Sequence, residues 1–316
     1  MRRSIAVVCC LSMAGVLFAG CNRPAAVAKI AVIPKSTNST FWEMVHAGAK
    51  KGAEESHVAI DWDGPARETD TDVQIRLLSD MMAKGAVAVV IAPQDAKALA
   101  EPIRNAHKQI PVVVMDSAVD TDDYTSFVAT DNKEGGRMAG REMVKLLGND
   151  GGKVAMLRND PGSASTMDRE DGFREAIKGT KVELVAEQFH KSDAQSANRM
   201  AQDMILSHPD LAGIFASNED GTIGAINALK TAQSQGRHIR FVGFDSTEVI
   251  ADALDQKIID ALVLQDPVRM GELAVKAAAA ALKGEKVEKN QPMPPTLVTQ
   301  ENKTQPAIQA LLRPPK

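Results

Sequence analysis

Apolar residues in this chain fall into ten short runs rich in Val, Ile and Ala. Five lie at 30–34, 58–62, 86–92, 111–115 and 126–129, and five more at 153–157, 182–186, 211–216, 239–244 and 260–264. Between them come segments of helical periodicity over 43–55, 73–84, 133–147, 172–178 and 221–231. Short β-type runs alternating with helical segments predict right-handed βαβ units and a parallel sheet. A run such as Ala86–Ala92 is apolar without alternation, the mark of a strand covered by helices on both faces. Two sets of five strands predict two similar halves. Gly148-Asn-Asp-Gly-Gly152, between the two sets, is the strongest local punctuation. The tail with Pro292, Pro294 and Pro295 reads as loosely ordered.

Where the runs stop is more telling. The first leads into Lys35-Ser-Thr-Asn-Ser-Thr-Phe-Trp42, the fourth into Asp116-Ser117 and the eighth into Ser217-Asn-Glu-Asp220. The ninth leads into Asp245-Ser-Thr247 and the tenth into Gln265-Asp266. Ligands of open parallel sheets bind outside the carboxyl ends of the strands. A row of Asn, Asp, Gln and aromatic residues there predicts a site for a small polar ligand.

The first twenty residues stand apart. Arg2-Arg3 and the apolar stretch 5–19 form the basic and hydrophobic regions of a secretory signal, shorter than the ~20 residues a spanning helix needs. The stretch ends in Leu17-Phe-Ala-Gly-Cys21, which resembles a bacterial lipobox. Residues 1–20 therefore read as a signal peptide of lipoprotein type with Cys21 as the lipidated residue, or as an ordinary signal cleaved nearby. All three cysteines lie in or beside this segment, so the exported body holds no disulfide and depends on its core. Losing two arginines leaves 35 basic against 41 acidic residues, a net charge of −6, which gives no sign of nucleic-acid binding.

Several chemistries lack their residues. The six histidines stand apart from any second ligand at metal spacing and read as surface or satisfied core residues, so no metal is expected. Gly162-Ser-Ala-Ser165 lacks the second glycine of a nucleophile elbow. Gly151-Gly-Lys153 is followed by Val154 instead of Ser or Thr. The first strand–helix loop has no G-x-G-x-x-G, so no dinucleotide cofactor is expected.

The motifs do resemble those of periplasmic sugar-binding proteins of the ribose/galactose type. The similarity rests on Ile30-Ala-Val-Ile-Pro-Lys35, Phe41-Trp42, Gly48-Ala49, Pro111–Asp116, Ala129–Asn132 with Gly135–Gly140, Arg169-Glu-Asp-Gly-Phe173, His208–Asn218, Val242–Asp245 and Gln265. It runs in order through the mature chain. It implies a periplasmic binding protein of type I, an α/β protein with two doubly wound parallel-sheet lobes joined by a three-crossover hinge. The lobes would be 27–131 plus 266–293 and 132–265 plus 294–316. Lac-repressor-type regulators share the module but carry a DNA-binding headpiece where this chain has its signal.

The resemblance also implies site residues. Phe41 and Trp42 match aromatics that flank a sugar ring, although core packing at a helix start is the other reading. Asp116 matches a carboxylate accepting from two hydroxyls, or else a helix cap, and Arg169 matches an arginine reaching the ring oxygen. Asn218, Asp245 and Gln265 match polar contacts of the second lobe and the crossover. Ser39 and Ser117 stand where the ribose pattern has Asn and Arg, and His190–Asp193 offers no aromatic. Lys35 adds a charge, either in the site or at an exposed strand end. These departures leave the class intact and put ribose itself in doubt.

The expected function is the solute-binding component of an ABC importer, a monomer delivering a neutral monosaccharide to a membrane permease. The alternative is a receptor for a sugar-like signal (furanosyl autoinducer, inositol or deoxysugar) feeding a chemotaxis or kinase sensor. A cleft hydrolase or isomerase ranks below both. The expected place is the periplasm or cell surface, held through lipid on Cys21.

Overall fold

The computed structural model describes residues 29–313, so the export segment 1–20 and Cys21 lie outside the described residues. The chain builds β1 (Lys29–Ile33), α1 (Thr40–Ser56), β2 (Ala59–Trp62), α2 (Thr71–Ala83), β3 (Ala88–Ile91), α3 (Ala100–His107), β4 (Val112–Met115) and β5 (Ser126–Thr130). It then crosses to a second body made of α4 (Asn132–Leu147), β6 (Gly152–Arg158), α5 (Ala164–Ile177), β7 (Val182–Phe189), α6 (Ala194–Ser207), β8 (Leu211–Ala216), α7 (Glu219–Ser234), β9 (Arg240–Phe244), α8 (Glu248–Asp255) and β10 (Ala261–Leu264). Through Gln265-Asp266 it returns to the first body with α9 (Pro267–Leu282) and β11 (Asn290–Met293). A third crossing at Pro294-Pro295 leads to β12 (Thr296–Thr299) and α10 (Pro306–Leu312).

The two sheets repeat one order, β2-β1-β3-β4-β5-β11 and β7-β6-β8-β9-β10-β12. Among the described residues all pairings are parallel except β12 on β10. Each sheet is covered on both faces, which explains the unbroken apolar runs. In β3, Ala88 and Val90 point to the side of α1 and α9, whereas Val89 and Ile91 face Leu78, Met81 and Ile103 of α2 and α3.

Two helix pairs pack with unusually little space between their backbones. A Cβ on Gly48 of α1 would stand 1.9 Å from the Val268 carbonyl oxygen of α9, and one on Gly136 of α4 would stand 1.9 Å from the Arg169 carbonyl oxygen of α5. Of the glycines quoted above as motif positions, Gly48, Gly136, Gly140 and Gly172 are therefore contact points between helices.

Three expectations need correction. Each sheet has six strands, because the tail contributes one to each. That tail is ordered: Met293 and Val298 are buried, and Ile308 and Leu312 of α10 close the second core. Its prolines misled because they break interior strands, yet Pro292 sits on an edge strand, where a missing N–H is tolerated. Gly148–Gly152 is not the divider between bodies. It is a 3-10 turn and strand start inside the second body, and the crossing precedes α4.

Candidate functional site

The carboxyl ends of the two sheets face one cavity, lined from both bodies. Of the ten expected residues, nine line it: Lys35, Ser39, Phe41, Trp42, Asp116, Arg169, Asn218, Asp245 and Gln265. Ser117 does not. It is fully buried and its hydroxyl accepts the Ser165 N–H at 3.0 Å, tying the two bodies together.

In the first body, Lys35 leaves β1 and lies buried, with Nζ 2.7 Å from Asp116 Oδ2. It also donates across the gap to Ser165 Oγ at 2.9 Å and Ser163 Oγ at 3.1 Å. Gln74 and Gln94 lock the loop beneath it. Gln74 donates to the carbonyls of Pro34 and Ala92, and Gln94 to those of Lys35 and Arg67. Ser39 is the cap of α1, accepting from the Trp42 N–H at 3.4 Å. Phe41 and Trp42 meet edge to face at 5.0 Å and belong both to the core and to the cavity wall. Trp42 Nε1 donates to Glu68 Oε1 at 2.7 Å, fixing the indole plane.

Asp116 and Asp245 occupy matching places after β4 and β9, with φ of 63° and 66°. Asp tolerates this left-handed conformation better than most residues. The N–H of each bonds to the next strand, at Val128 O (2.9 Å) and Val263 O (3.0 Å), and each carboxylate lines the cavity.

In the second body, Arg169 Nε donates to Asn132 Oδ1 at 2.9 Å and Nη1 to the Ser217 carbonyl at 2.9 Å. Its guanidinium lies 4.0 Å over the Phe244 ring, which sets its plane. Beneath it, buried Glu170 accepts from Arg158 at 2.6 Å and from Ser217 at 3.1 Å. Burial pushes the Glu170 carboxyl up, with Arg158 opposing. Asn218 caps α7 by accepting the Gly221 N–H at 3.0 Å. Gln265 donates to Asp245 at 2.8 Å and accepts from Thr130 of the first body at 2.7 Å, so the crossover residue joins both.

Six further lining residues were not expected: Glu68, Asn159, Ser165, Thr166, Glu219 and Asp220. Glu219 and Asp220 follow Asn218 directly, but acidic residues in a first helical turn read as partners of the helix dipole. Here Glu219 Oε2 accepts the Phe41 N–H at 3.0 Å from the other body. Burial, then Asp245 and Asp220, push Glu219 up to about 8. Burial, then Glu68, Asp193 and Asp245, push Asp220 up to about 7. Burial also raises Asp245, opposed by Arg169. Behind this wall His190 corrects the reading of every histidine as exposed or satisfied. It is buried with neither ring nitrogen hydrogen-bonded, and burial pushes it down to about 4.

Matched sheets closing on a polar cavity with one aromatic wall define a two-lobed solute-binding protein. Residues 30–286 match the periplasmic binding protein domain, and the chain belongs to that family. It is 30% identical to the ribose import binding protein of Salmonella typhimurium, across 85% of this chain and 90% of that one. The Bacillus subtilis ribose import binding protein is 30% identical over 83% and 84% of the two chains. A carbohydrate transporter solute-binding protein from Agrobacterium radiobacter, solved with D-arabinose, superposes with a TM-score of 0.87 at 34% identity, covering 91% and 99% of the chains. An Agrobacterium vitis ABC transporter solute-binding protein holding D-fucose gives 0.86 at 32%, covering 90% and 100%. The fold is thus the type I two-lobed fold, and the protein is a periplasmic solute-binding protein and not an enzyme.

Proposed function

We propose that this protein captures a monosaccharide for an ABC importer, closing its two lobes, 27–131 plus 266–293 and 132–265 plus 294–316, on the sugar. The observation that carries this reading is that both bodies supply polar groups to one cavity at their strand ends. Asp116 Oδ1 on one side and Arg169 Nη2 on the other make no hydrogen bond with any described residue. The import proteins for ribose and the sugar-bound structures of similar sequence support the same reading.

In this reading Asp116, Arg169, Asn218, Asp245 and Gln265 bond hydroxyls, Phe41 and Trp42 cover the apolar face of the ring, and Lys35 holds Asp116 in place. Ser39 and Ser117 act through the wall, one as a cap and one as a tie between lobes. Closure is favoured only by contacts made to both lobes. The protein works as a monomer, anchored by lipid on Cys21 after cleavage of residues 1–20. Mass spectrometry of the mature N-terminus checks the anchor.

The deciding experiment is a thermal-shift screen of pentoses, hexoses, deoxysugars and inositols. A true ligand at a hundred times its Kd adds about 2.7 kcal/mol of stability. A complete screen without a stabilising sugar overturns the reading.

A further inference from the structure

The charge balance of the cavity points past a simple neutral sugar. Five carboxylates line it (Glu68, Asp116, Glu219, Asp220 and Asp245) against two cations, Lys35 and Arg169. Both cations are engaged. Lys35 holds Asp116 at 2.7 Å together with two serine hydroxyls, and Arg169 lies 3.8 Å from Asp245 while donating to Asn132 and Ser217. The surplus gathers at the Trp42 end. There Glu68 accepts from the Trp42 indole and the Ser192 hydroxyl, and Glu219 accepts a main-chain N–H.

We propose that the sugar taken by this cleft carries a protonated amine, seated between Asp220 and Glu68. This rests on the sugar-binding reading and adds the charge of the ligand. It departs from the neutral sugar expected from strand-end residues, because Glu68, Glu219 and Asp220 were outside that set.

Asp220 carries the argument. It lines the cavity, yet it makes neither a hydrogen bond nor an ion pair with any described residue. The charged groups that bear on it are Glu68 from the loop after β2, Asp193 at the start of α6, and Asp245 after β9, all acidic. Glu219 beside it is acidic too. Asp193 is itself paired with exposed Arg199 at 3.8 Å. A sugar hydroxyl donates one hydrogen bond to such a carboxylate and brings no charge to compensate it. An ammonium group supplies the missing charge and three donors, enough for Asp220 and Glu68 at once. Burial first, and the neighbouring carboxylates after it, raise Asp220 and Glu219, and a cation seated between Asp220 and Glu68 would return them to the ionised form.

The test is calorimetry at pH 7 on the full protein with 1-amino-1-deoxy, 2-amino and 6-amino hexoses, each beside its neutral parent and its N-acetyl form. At least one amino sugar should bind tenfold or more tighter than both counterparts, and Asp220→Asn should erase that preference. If neutral parents bind as tightly as every amino form, the amine is wrong and the sugar reading stands. A preference that survives Asp220→Asn overturns the seat assigned to the amine. If no sugar of either kind binds, the sugar reading fails and takes this inference with it.

Discussion

Asp116 and Asp245 look equivalent, one carboxylate per lobe, but their surroundings give them different costs. Asp116 compensates buried Lys35 at 2.7 Å. Removing one partner of a buried pair costs about 3–5 kcal/mol because the other charge is left alone; hydration of the open cleft reduces that here. Asp245 sits among carboxylates, and burial raises its pKa. Asp116→Ala should therefore lower the melting temperature of the ligand-free protein, whereas Asp245→Asn, which keeps an acceptor for Gln265 and loses only the longer 3.8 Å pairing with Arg169, should lower it less. Each lost charge-assisted bond is worth about 1.5–3 kcal/mol, so both should weaken sugar binding roughly 10- to 150-fold. Calorimetry of both variants, with and without sugar, checks the contrast.

His190 gives a second prediction at this scale. Its folded pKa of about 4 lies below the ordinary 6.5, so the unfolded chain binds the extra proton first as pH falls. The stability contributed by the neutral imidazole is full above pH 6.5 and is lost on the way down to pH 4, by roughly 3 kcal/mol. The raised carboxyls of Glu219 and Asp220 act the other way, since their folded forms favour the proton as pH rises toward 7–8. From pH 7 to 4.5 the melting temperature of His190→Gln should fall less, or rise more, than that of the parent. An unchanged slope would remove His190 from the acid limb.

Among the elements, the helix pairs place the site. Arg169 sits on α5, whose main chain passes close against Gly136 of α4. A methyl group there has no room, since backbone atoms, not side-chain ends, stand in its way. Gly136→Ala should push α5 outward, carry Arg169 off Asn132 and the Ser217 carbonyl, and lower both melting temperature and affinity. Gly85→Ala is a poor control because its φ is positive, so Ala139→Gly on the same helix serves better. The same level explains what was legible in the sequence. The strand ends were readable because a parallel sheet delivers its loops to one edge, and β1, β4, β8, β9 and β10 all ended in polar clusters. Glu68 sits in a polar loop with no such marker. Glu219 and Asp220 had the signature of a helix start, and only the approach of the opposite lobe turns them into cavity wall. Ser117 shows the converse: a strand-end position whose side chain faces the other lobe's backbone instead of the cavity.

On the scale of the whole molecule, each lobe is assembled from two stretches far apart in sequence. Phe127 pairs with Asn290 and Ala261 with Thr299, so neither sheet is finished without the tail. The prolines that made this tail look irregular mark the step where it changes lobes. Among the described strands β12 alone runs antiparallel to its neighbour, and it covers the otherwise open side of β10. An uncovered row of strand N–H and C=O groups beside apolar side chains is a template for a second molecule. Ending the chain after Pro294 should thus leave the first lobe's sheet complete and give a protein that self-associates, seen as a rise in mass by light scattering with concentration. Addition of a peptide spanning 295–313 should reverse it. The last strand is in that sense a built-in blocker, occupying in the native protein the place that another copy would otherwise take.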